Sequence, residues 1–246
     1  MEYINGRLQL KNVTLVAMTS VCVYETVKAM EYSMRGIDFG DAVLITHRKP
    51  IYLSGTIRYS HTGKLTTIDD FNYKMLYELG DHIHTDYAMI VHYDGFIVHP
   101  ECFRDEFLDY DYIGAPWPDP HDDYTYRDIN GNLQRVGNSV GIRSKRLIDY
   151  PKKAGIPFEA DHGFFHEDGF ICVKNRHLFE QAGMKIAPIE VAKYFSHETM
   201  IPEIEGITPF AFHKWAGTNS GYPKFKGEPE LIKRVKRRIK KTISAS

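Results

Sequence analysis

Short apolar runs and stretches with helical spacing alternate in the first part of the chain. Three runs of apolar, β-prone residues predict strands: residues 13–18, 42–46 and 87–91. Between them, apolar side chains recur on one helical face over residues 23–34 and 71–79. Asp69 and Asp70 precede the second stretch, and acidic residues suit the start of a helix. This order predicts a parallel sheet with right-handed crossovers, which we interpret as a nucleotide-binding α/β layer.

The second half of the chain has a less regular pattern. Residues 116–135 are rich in Pro, Asp, Tyr and Asn without any period, which predicts a long loop. Loops of this length inside compact domains tend to be functional or disordered. A short helix is predicted over residues 190–195, and residues 200–224 favour further loops. We therefore predict an irregular half beside the regular sheet.

The last residues differ from both halves. Over residues 230–246, seven Lys and Arg residues surround one apolar helical face, which consists of Ile232, Val235, Ile239 and Ile243. We therefore predict a domain over residues 1–229 followed by a basic amphipathic tail. Such a helix can lie on an anionic membrane surface. The alternative is a solvated helix that packs its narrow apolar stripe on the body of the protein.

Composition and charge narrow the class of protein. With 246 residues, 43% hydrophobic and 26% charged, the chain fits one soluble globular domain. A net charge of −1 argues against a surface that neutralises nucleic acid, so no nucleic-acid partner is expected. Three cysteines without a C-x-x-C pair predict reduced thiols. Neither a signal-peptide pattern nor a membrane-spanning run occurs, which predicts a cytoplasmic protein, at most peripheral at the inner face of a membrane.

Candidate chemistry begins at Asp94, which follows the third predicted strand. Open α/β sheets place ligand chemistry at the carboxyl ends of their strands. Gly95 comes next and lets the chain turn or approach a ligand closely. The alternative is an ordinary turn, because Asp before Gly is also common turn chemistry.

Six short blocks follow one another over residues 92–213: HYDGF at 92–96, YDYIGAPW at 110–117, GNSVGIRS at 137–144, HEDG at 166–169, FSHE at 195–198 and PFAFH at 209–213. In order and spacing they resemble a family of largely uncharacterised proteins grouped with the glycosyltransferases of the GT-A fold. The resemblance implies a single α/β domain with a mostly parallel nucleotide-binding sheet flanked by helices and an irregular acceptor-side half. It also implies transfer of a sugar from a nucleotide-sugar donor to a glycan or lipid-linked acceptor.

The resemblance further implies a metal-assisted donor site. GT-A enzymes hold the donor diphosphate through a divalent cation bound by a D-x-D motif after a central strand. Here His92 takes the first position, so Asp94 is the expected ligand of Mn²⁺ or Mg²⁺. The resemblance places His213 as the second ligand, with His197 as a competitor and an ordinary structural histidine as the alternative for either. The other expected donor contacts are Thr19, Gly95 and Arg143, of which the arginine would neutralise the diphosphate or would simply be an exposed cation.

The pair Glu167 and Asp168 is the candidate for catalysis. Inverting transfer needs a carboxylate that takes the proton of the acceptor hydroxyl, and the resemblance makes Asp168 this base. Glu167 is expected to orient the acceptor or to serve as the alternate base, and a second carboxylate nearby can raise the pKa of the first. Adjacent residues on a strand face opposite sides, so only one of the two should point into the site. The alternative is a charged helix start.

Two further residues are expected on the acceptor side. Trp117 would offer a platform for sugar stacking, although a buried core position is the commoner place for Trp. Asn138 lies in the GNSVGIRS block, whose glycines predict a flexible turn that enters a short strand or helix. In the similar family this block lines the donor sugar and acceptor.

We thus predict an inverting, metal-assisted glycosyltransferase. The main alternative is a non-catalytic carbohydrate- or nucleotide-binding module, supported by the incomplete D-x-D and by Ser139 and Val140 where relatives often carry glycines. A nucleotidyltransferase is less favoured, because no Gly-rich, basic loop follows the first predicted strand.

Overall fold

The strands and helices are those of a computed structural model that describes residues 2–162 and 165–243, with the side chains of residue 236 and residues 238–243 outside the description. The strands are β1 Tyr3–Ile4, β2 Arg7–Met18, β3 Ile37–Thr46, β4 Arg58–His61, β5 Tyr87–Ile90, β6 Gly95–Ile97, β7 Tyr112–Pro116, β8 Val136–Ser144, β9 Ser196–His197 and β10 Ala211–His213. The α-helices are α1 Val23–Ser33, α2 Ile68–Tyr77, α3 Lys145–Ala154, α4 Glu167–Gly169, α5 Arg176–Gln181, α6 Ile189–Phe195 and α7 Glu230–Ile243. Short 3₁₀ turns cover Leu79–His82, Pro100–Cys102, Asp105–Asp109, Pro202–Ile204 and Gly217–Gly221, and a π-helical turn covers Phe170–Lys174.

The main sheet has the strand order β4-β3-β2-β5-β8-β7, with β1 paired to the start of β2. Strands β4, β3, β2 and β5 run parallel, whereas β8 lies antiparallel to both β5 and β7. The predicted fold class, a mostly parallel sheet flanked by helices, is confirmed. β2 begins six residues before the predicted run, because its first residues alternate between buried Leu8 and Leu10 and half-buried polar neighbours.

Helix α2 begins earlier than its apolar pattern predicts. The Thr67 hydroxyl accepts a hydrogen bond from the Asp70 amide, and the Asp70 carboxylate accepts one from the Thr67 amide, both at 3.1 Å. This reciprocal capping box satisfies two amides that the first helical turn leaves free. The acidic residues before the predicted helix therefore lie in its first turn.

Strand β8 corrects the expectation of a flexible turn at residues 137–144. The block lies in the sheet between β5 and β7; its backbone is extended except at Asn138, whose φ is positive, and all of it is buried except half-buried Ser139. Its glycines make room for protein rather than for substrate. A β-carbon on Gly137 would lie 1.8 Å from the Trp117 ring, and one on Gly141 would lie 2.5 Å from the Ile113 carbonyl oxygen.

A second, three-stranded sheet gathers blocks that are far apart in sequence. β10 pairs antiparallel with β6 and parallel with β9. In this register Gly95 faces His213, and Phe212 lies opposite His197. The rings of Phe96 and Phe212, 4.8 Å apart and buried, pack these strands together. The residues that follow β9 and those that precede β6 therefore lie at the same end of this sheet.

The predicted loop at residues 116–135 contains no helix and only one isolated bridge in its described residues after β7. It is nevertheless ordered by its own side chains. The Asp122 carboxylate accepts from the Tyr124 and Thr125 amides at 3.0 and 2.6 Å. The Asp128 carboxylate accepts from the Asn132 amide and the Gln134 side chain at 3.0 and 2.8 Å.

The predicted C-terminal helix is present as α7. Of its apolar stripe, Val235 is exposed and Ile232 is half-buried. Glu230 pairs with Lys233 and Arg237 along the helix surface. Among the described residues, no helix combines the length and apolar character needed to span a membrane. A domain boundary at residue 229 stays a prediction.

Candidate functional site

A cavity of about 440 Å³ opens at the carboxyl ends of β2 and β5. We call it the strand-end cavity; its wall includes Thr19, Phe71, Asp94, Ser139 and His213. This is the edge of the sheet where parallel α/β folds bind ligands. Thr19 thus lies where it was predicted, although its hydroxyl donates to the Val21 carbonyl at 2.7 Å.

Asp94 and His213 meet in the strand-end cavity, with Asp94 Oδ1 3.9 Å from His213 Nε2. The pairing of Gly95 with His213 in the second sheet sets this distance. Gly95 itself is buried and does not line the cavity, so its donor contact stays a prediction. A β-carbon there would lie 2.7 Å from His213 Cδ2 and 2.6 Å from Val140 Cγ2, so glycine leaves space for the histidine.

His92 lies beside this pair, with its ring centroid 5.8 Å from that of His213. Its Nε2 is buried and has no hydrogen-bond partner among the described residues. Burial and the neighbouring His213 lower the pKa of His92 to about 4, so the ring is neutral at physiological pH. His92 therefore contributes an uncharged nitrogen where a full D-x-D would place a carboxylate.

The donor set at Asp94 and His213 fits a divalent cation that completes its coordination elsewhere. Hard cations take carboxylate oxygens at about 2.0–2.6 Å and usually retain phosphate and water ligands. Two protein atoms 3.9 Å apart are within reach of one such ion. Within the described ranges, no group of three or more His, Cys, Asp or Glu residues is arranged to hold a metal on its own. A cation held by Asp94 and His213 would complete its coordination with ligands from a substrate or water.

A second cavity of about 530 Å³ lies beside the loop at residues 117–135. We call it the loop-side cavity; its wall includes Trp117, Tyr124, Tyr126, Asp168, Glu198 and Lys214. Trp117 is 7% exposed and stacks on Tyr126 with ring centroids 4.7 Å apart and planes 12° apart. The exposed aromatic surface therefore comes mainly from Tyr126 and Tyr124, with Trp117 packed against the former.

Glu167 and Asp168 begin the short helix α4 rather than lying on a strand. Glu167 is buried; its carboxylate accepts from Arg143 Nη2 at 2.9 Å and from the Ser139 hydroxyl. Burial alone would raise the pKa of Glu167, but Arg143 and Ser139 outweigh it and hold the pKa below its ordinary value. Glu167 reaches neither cavity, so it is not placed to be a base or an acceptor contact.

The same ion pair corrects the prediction that Arg143 contacts the donor diphosphate. It is 1% exposed, ion-paired with Glu167, and lines neither cavity. A guanidinium without accessible surface cannot meet a diphosphate from solvent. Its role is to neutralise Glu167 inside the protein.

Asp168 is the member of the pair that lines the loop-side cavity. Its Oδ2 accepts from the Asn138 amide at 3.1 Å. Burial, and then the negative charge of Glu167, raise the pKa of Asp168 to about 6. Two adjacent carboxylates thus have opposite pKa shifts, and one of them is accessible.

Asn138 is buried and does not contact either cavity directly. Its backbone has φ +84°, a conformation uncommon outside glycine. The side chain donates to Glu198 Oε2 at 2.6 Å, and the carbonyl accepts from the Tyr112 hydroxyl at 2.5 Å. The predicted acceptor contact is therefore an internal support for Asp168.

Glu198 is the site residue that the sequence did not reveal. It follows β9, lines the loop-side cavity and lies 3.2 Å from His213 Nδ1 and 2.6 Å from Lys214 Nζ. Burial opposes its charge, but His213 and Lys214 lower its pKa to about 2. A carboxylate directly after a strand was the available clue, the same one that pointed to Asp94. His197, by contrast, is buried, with Nε2 2.7 Å from the Lys193 carbonyl oxygen, and takes no part in the site.

A family model described as "Protein of unknown function (DUF5672)" matches residues 61–213. None of the curated proteins matches the sequence. A solved glycosyltransferase involved in glycosylation of the major capsid of PBCV-1 is similar over 85% of this chain and 95% of its own, with 10% identity and a TM-score of 0.50. The galactosyltransferase LgtC, solved with donor and acceptor sugar analogues, aligns over 92% and 94% with 10% identity and a TM-score of 0.47. The fold is that of the GT-A glycosyltransferases.

Proposed function

The chain belongs to the DUF5672 family, and we propose that it is a glycosyltransferase that moves a sugar from a nucleotide-sugar donor to a saccharide or lipid-linked acceptor. One observation carries the proposal: two cavities of similar size flank a single layer of side chains. His213 lines the strand-end cavity and Glu198 the loop-side cavity, with 3.2 Å between their side chains. A transferase must hold two substrates with their reacting atoms close together, and this layout supports that.

In this proposal the donor occupies the strand-end cavity. Thr19 lies beside the nucleotide, and Asp94 and His213 hold Mn²⁺ or Mg²⁺. The cation, when bound, neutralises charge on the diphosphate and stabilises it as a leaving group. The support is the reach of Asp94 and His213 to one ion and the position of the cavity at the strand ends.

The acceptor occupies the loop-side cavity, where Asp168 serves as the general base. The acceptor oxygen forms a bond to the anomeric carbon while the bond from that carbon to the donor phosphate breaks, and the leaving diphosphate takes the electron pair. Asp168 takes the acceptor proton, and attack from the face opposite the leaving group inverts the anomeric configuration. A pKa near 6 suits this role, because the group is ionised at neutral pH and more basic than an ordinary Asp.

The aromatic wall of the loop-side cavity supports a saccharide acceptor. Tyr126 stacks on Trp117, so its ring is held rigidly, and Tyr124 is 79% exposed at the cavity mouth. Flat apolar rings with a polar edge suit the alternating apolar and hydroxylated faces of a sugar.

A second part of the proposal is that the protein meets its acceptor at the surface of an anionic membrane. The basic tail supports this part. Seven basic residues lie on α7, and Leu231 and Val235 on the same helix are exposed. Deletion of residues 230–246 should abolish binding to vesicles that contain anionic lipid, and binding by the full chain should weaken with salt. Equal binding by the full and the shortened chain would remove this part.

Two observations support the alternative, a binding module without turnover. His92 replaces a carboxylate, and the described residues contain no complete metal cluster. A module would bind a nucleotide sugar or a glycan and leave it intact, whatever the residue at position 168.

The test is a thermal-shift screen of nucleotide sugars, with and without Mn²⁺, on the wild type, Asp94→Ala and Asp81→Ala. A ligand at about 100 times its Kd adds about 2.7 kcal/mol of stability. In a domain of this size that corresponds to roughly 5–10 °C. We expect a metal-dependent shift with one nucleotide family, lost in Asp94→Ala and kept in Asp81→Ala, whose carboxylate is exposed. No shift with any donor would contradict the proposal.

A further inference from the structure

Glu198 lies at the point where the two cavities meet, and both of its carboxylate oxygens are engaged. Oε1 is 3.2 Å from His213 Nδ1 and 2.6 Å from Lys214 Nζ. Oε2 accepts from Asn138 Nδ2 at 2.6 Å. Only 13% of the side chain is exposed. A carboxylate with three partners and little solvent is held in one orientation.

Two of these partners have strained backbones. Asn138 has φ +84° and Lys214 has φ +63°. For residues other than glycine this region is unfavourable and persists only where surrounding contacts enforce it. Glu198 binds the side chain of each, so it is placed to enforce both conformations.

Each strained residue also holds part of the candidate site through its own amide. The Asn138 amide donates to Asp168 Oδ2 at 3.1 Å. The Lys214 amide donates to the Asp94 carbonyl at 2.7 Å. Through one carboxylate, the positions of Asp94 and Asp168 are therefore coupled.

The contact with His213 has a further consequence for that ring. Its Nδ1 is buried and makes no well-aligned hydrogen bond within the described part of the chain, and Glu198 Oε1 is the acidic atom beside it. A neutral imidazole carries its proton on one nitrogen and a lone pair on the other. When the proton is on Nδ1, it points toward the Glu198 carboxylate, which is electrostatically favourable. The lone pair on Nε2 then lies toward Asp94, whose Oδ1 is 3.9 Å from Nε2.

We propose that Glu198 is a positioning residue that fixes His213 in the tautomer protonated on Nδ1 and holds Asn138 and Lys214 in their strained conformations. The roles of Asp94 and Asp168 in this account rest on the proposed function, whereas the tautomer of His213 does not. Glu198 touches neither reacting atoms nor cation; it acts through its neighbours.

The test is the tautomer of His213, read from the nitrogen chemical shifts of the full-length protein in long-range ¹H–¹⁵N spectra, at a pH where the ring is neutral. The His213→Gln variant assigns the signal. In the wild type we expect a protonated Nδ1 and an unprotonated Nε2. In Glu198→Gln the amide can donate to Nδ1, so the population should move toward a protonated Nε2. Glu180→Gln, a change at an exposed carboxylate paired with Arg176, is the matched control and should leave the tautomer unchanged.

Two results would overturn the proposal. One is a wild-type His213 protonated on Nε2, which needs no variant and so does not depend on folding of Glu198→Gln. The other is the same tautomer in wild type and Glu198→Gln, with the signal of buried His197 unchanged as proof of folding.

A second measurement separates this inference from the proposed function. Mn²⁺ affinity in the presence of a stabilising nucleotide sugar should fall about 10–100-fold in Glu198→Gln, the usual effect of losing a carboxylate that orients a metal-binding histidine. If no nucleotide sugar binds, the proposed function fails while the tautomer still decides the role of Glu198. An unchanged Mn²⁺ affinity would overturn the claim that Glu198 positions His213 for a cation.

Discussion

The strand-end and loop-side cavities are built by different means. The first is formed where parallel strands end, so a continuous apolar pattern sets its position and Asp94 follows directly from a buried strand. The second is formed by loops and by the short helix α4, and polar contacts between distant residues hold it. The Glu167–Arg143 pair spans 24 residues and the Asn138–Glu198 contact spans 60. The first cavity therefore depends mainly on the packing of the strands, and the second on polar contacts between residues that are distant in sequence.

The largest expected effect is on catalysis, from Asp168→Asn in the loop-side cavity. Loss of the general base should lower transfer about 10²–10⁴-fold. Donor binding, measured by thermal shift, should be unchanged, because Asp168 does not line the strand-end cavity. Near-normal turnover would show that another group is the base.

Glu167→Gln should instead damage the fold. Removing the charge leaves Arg143 buried without its counter-ion, and breaking such a pair costs about 3–5 kcal/mol. Denaturant unfolding of Glu167→Gln and of Asp168→Asn compares what the two neighbouring carboxylates contribute to the free energy of unfolding. Equal stability of the two variants would mean that Glu167 is less buried, or less tightly paired, than described.

Gly95→Ala tests the strand-end cavity by packing alone. The new methyl group would overlap His213 and Val140, and overpacking of this kind costs about 1–3 kcal/mol. Displacement of His213 should also weaken metal-dependent donor binding more than this stability loss explains. Gly55→Ala, where the added β-carbon meets nothing within 4 Å, is the matched control.

The pH dependence of transfer should report the pKa of Asp168 in the loop-side cavity. With a pKa of about 6 for Asp168, kcat/KM should fall about tenfold per pH unit below that value as the base becomes protonated. An ordinary Asp, at 3.8, would lose activity only below about pH 4. A profile flat down to pH 5 would contradict the assignment.

The same shift has a defined sign for stability. Because the folded pKa of Asp168 is raised, its protonation stabilises the fold; this contribution is complete below about 3.8 and is lost as pH rises through about 6. Asp168→Asn is neutral throughout, so its free energy of unfolding at pH 7 should not fall below that of the wild type. A clear loss would show that the ionised carboxylate supports the fold.

The smallest effect is expected from Tyr126→Ala on acceptor binding. Loss of an aromatic contact is worth about 0.5–1.5 kcal/mol, or roughly a 2–10-fold rise in the KM for the acceptor. The kcat and the affinity for the donor should not change. A matched Tyr73→Ala, outside the loop-side cavity, should leave the acceptor KM unaffected.

The fold was largely predictable because buried parallel strands consist of continuous runs of apolar residues. The positions of β5, α1 and α6 and the second half of β3 follow from spacing alone, and the start of α2 needed only the capping box at Thr67 to be placed correctly. The block at 137–144 was mistaken for a turn because its glycines suggested flexibility. In the structure they admit the Trp117 ring and a neighbouring strand, which no local pattern records.

The candidate site was predictable in part, for a related reason. Asp94, Thr19 and Asp168 lie on cavity walls as expected from strand ends and from the family resemblance. Arg143 was misplaced because its partner Glu167 is distant in sequence. Glu198 was overlooked because its contacts are not local: Asn138 lies on β8 of the main sheet, and the pairing of the second sheet brings His213 near.

The central claim, inverting transfer with Asp168 as base, is tested most directly by the anomeric configuration of the first product. The nucleotide sugar with the largest metal-dependent stabilisation is incubated with the protein in a ¹H NMR tube, with water or a simple saccharide as acceptor. We predict a product of the opposite anomeric configuration, seen before mutarotation, and its loss in Asp168→Asn with donor binding intact. A product that retains the configuration, or one formed equally fast by Asp168→Asn, would contradict the account.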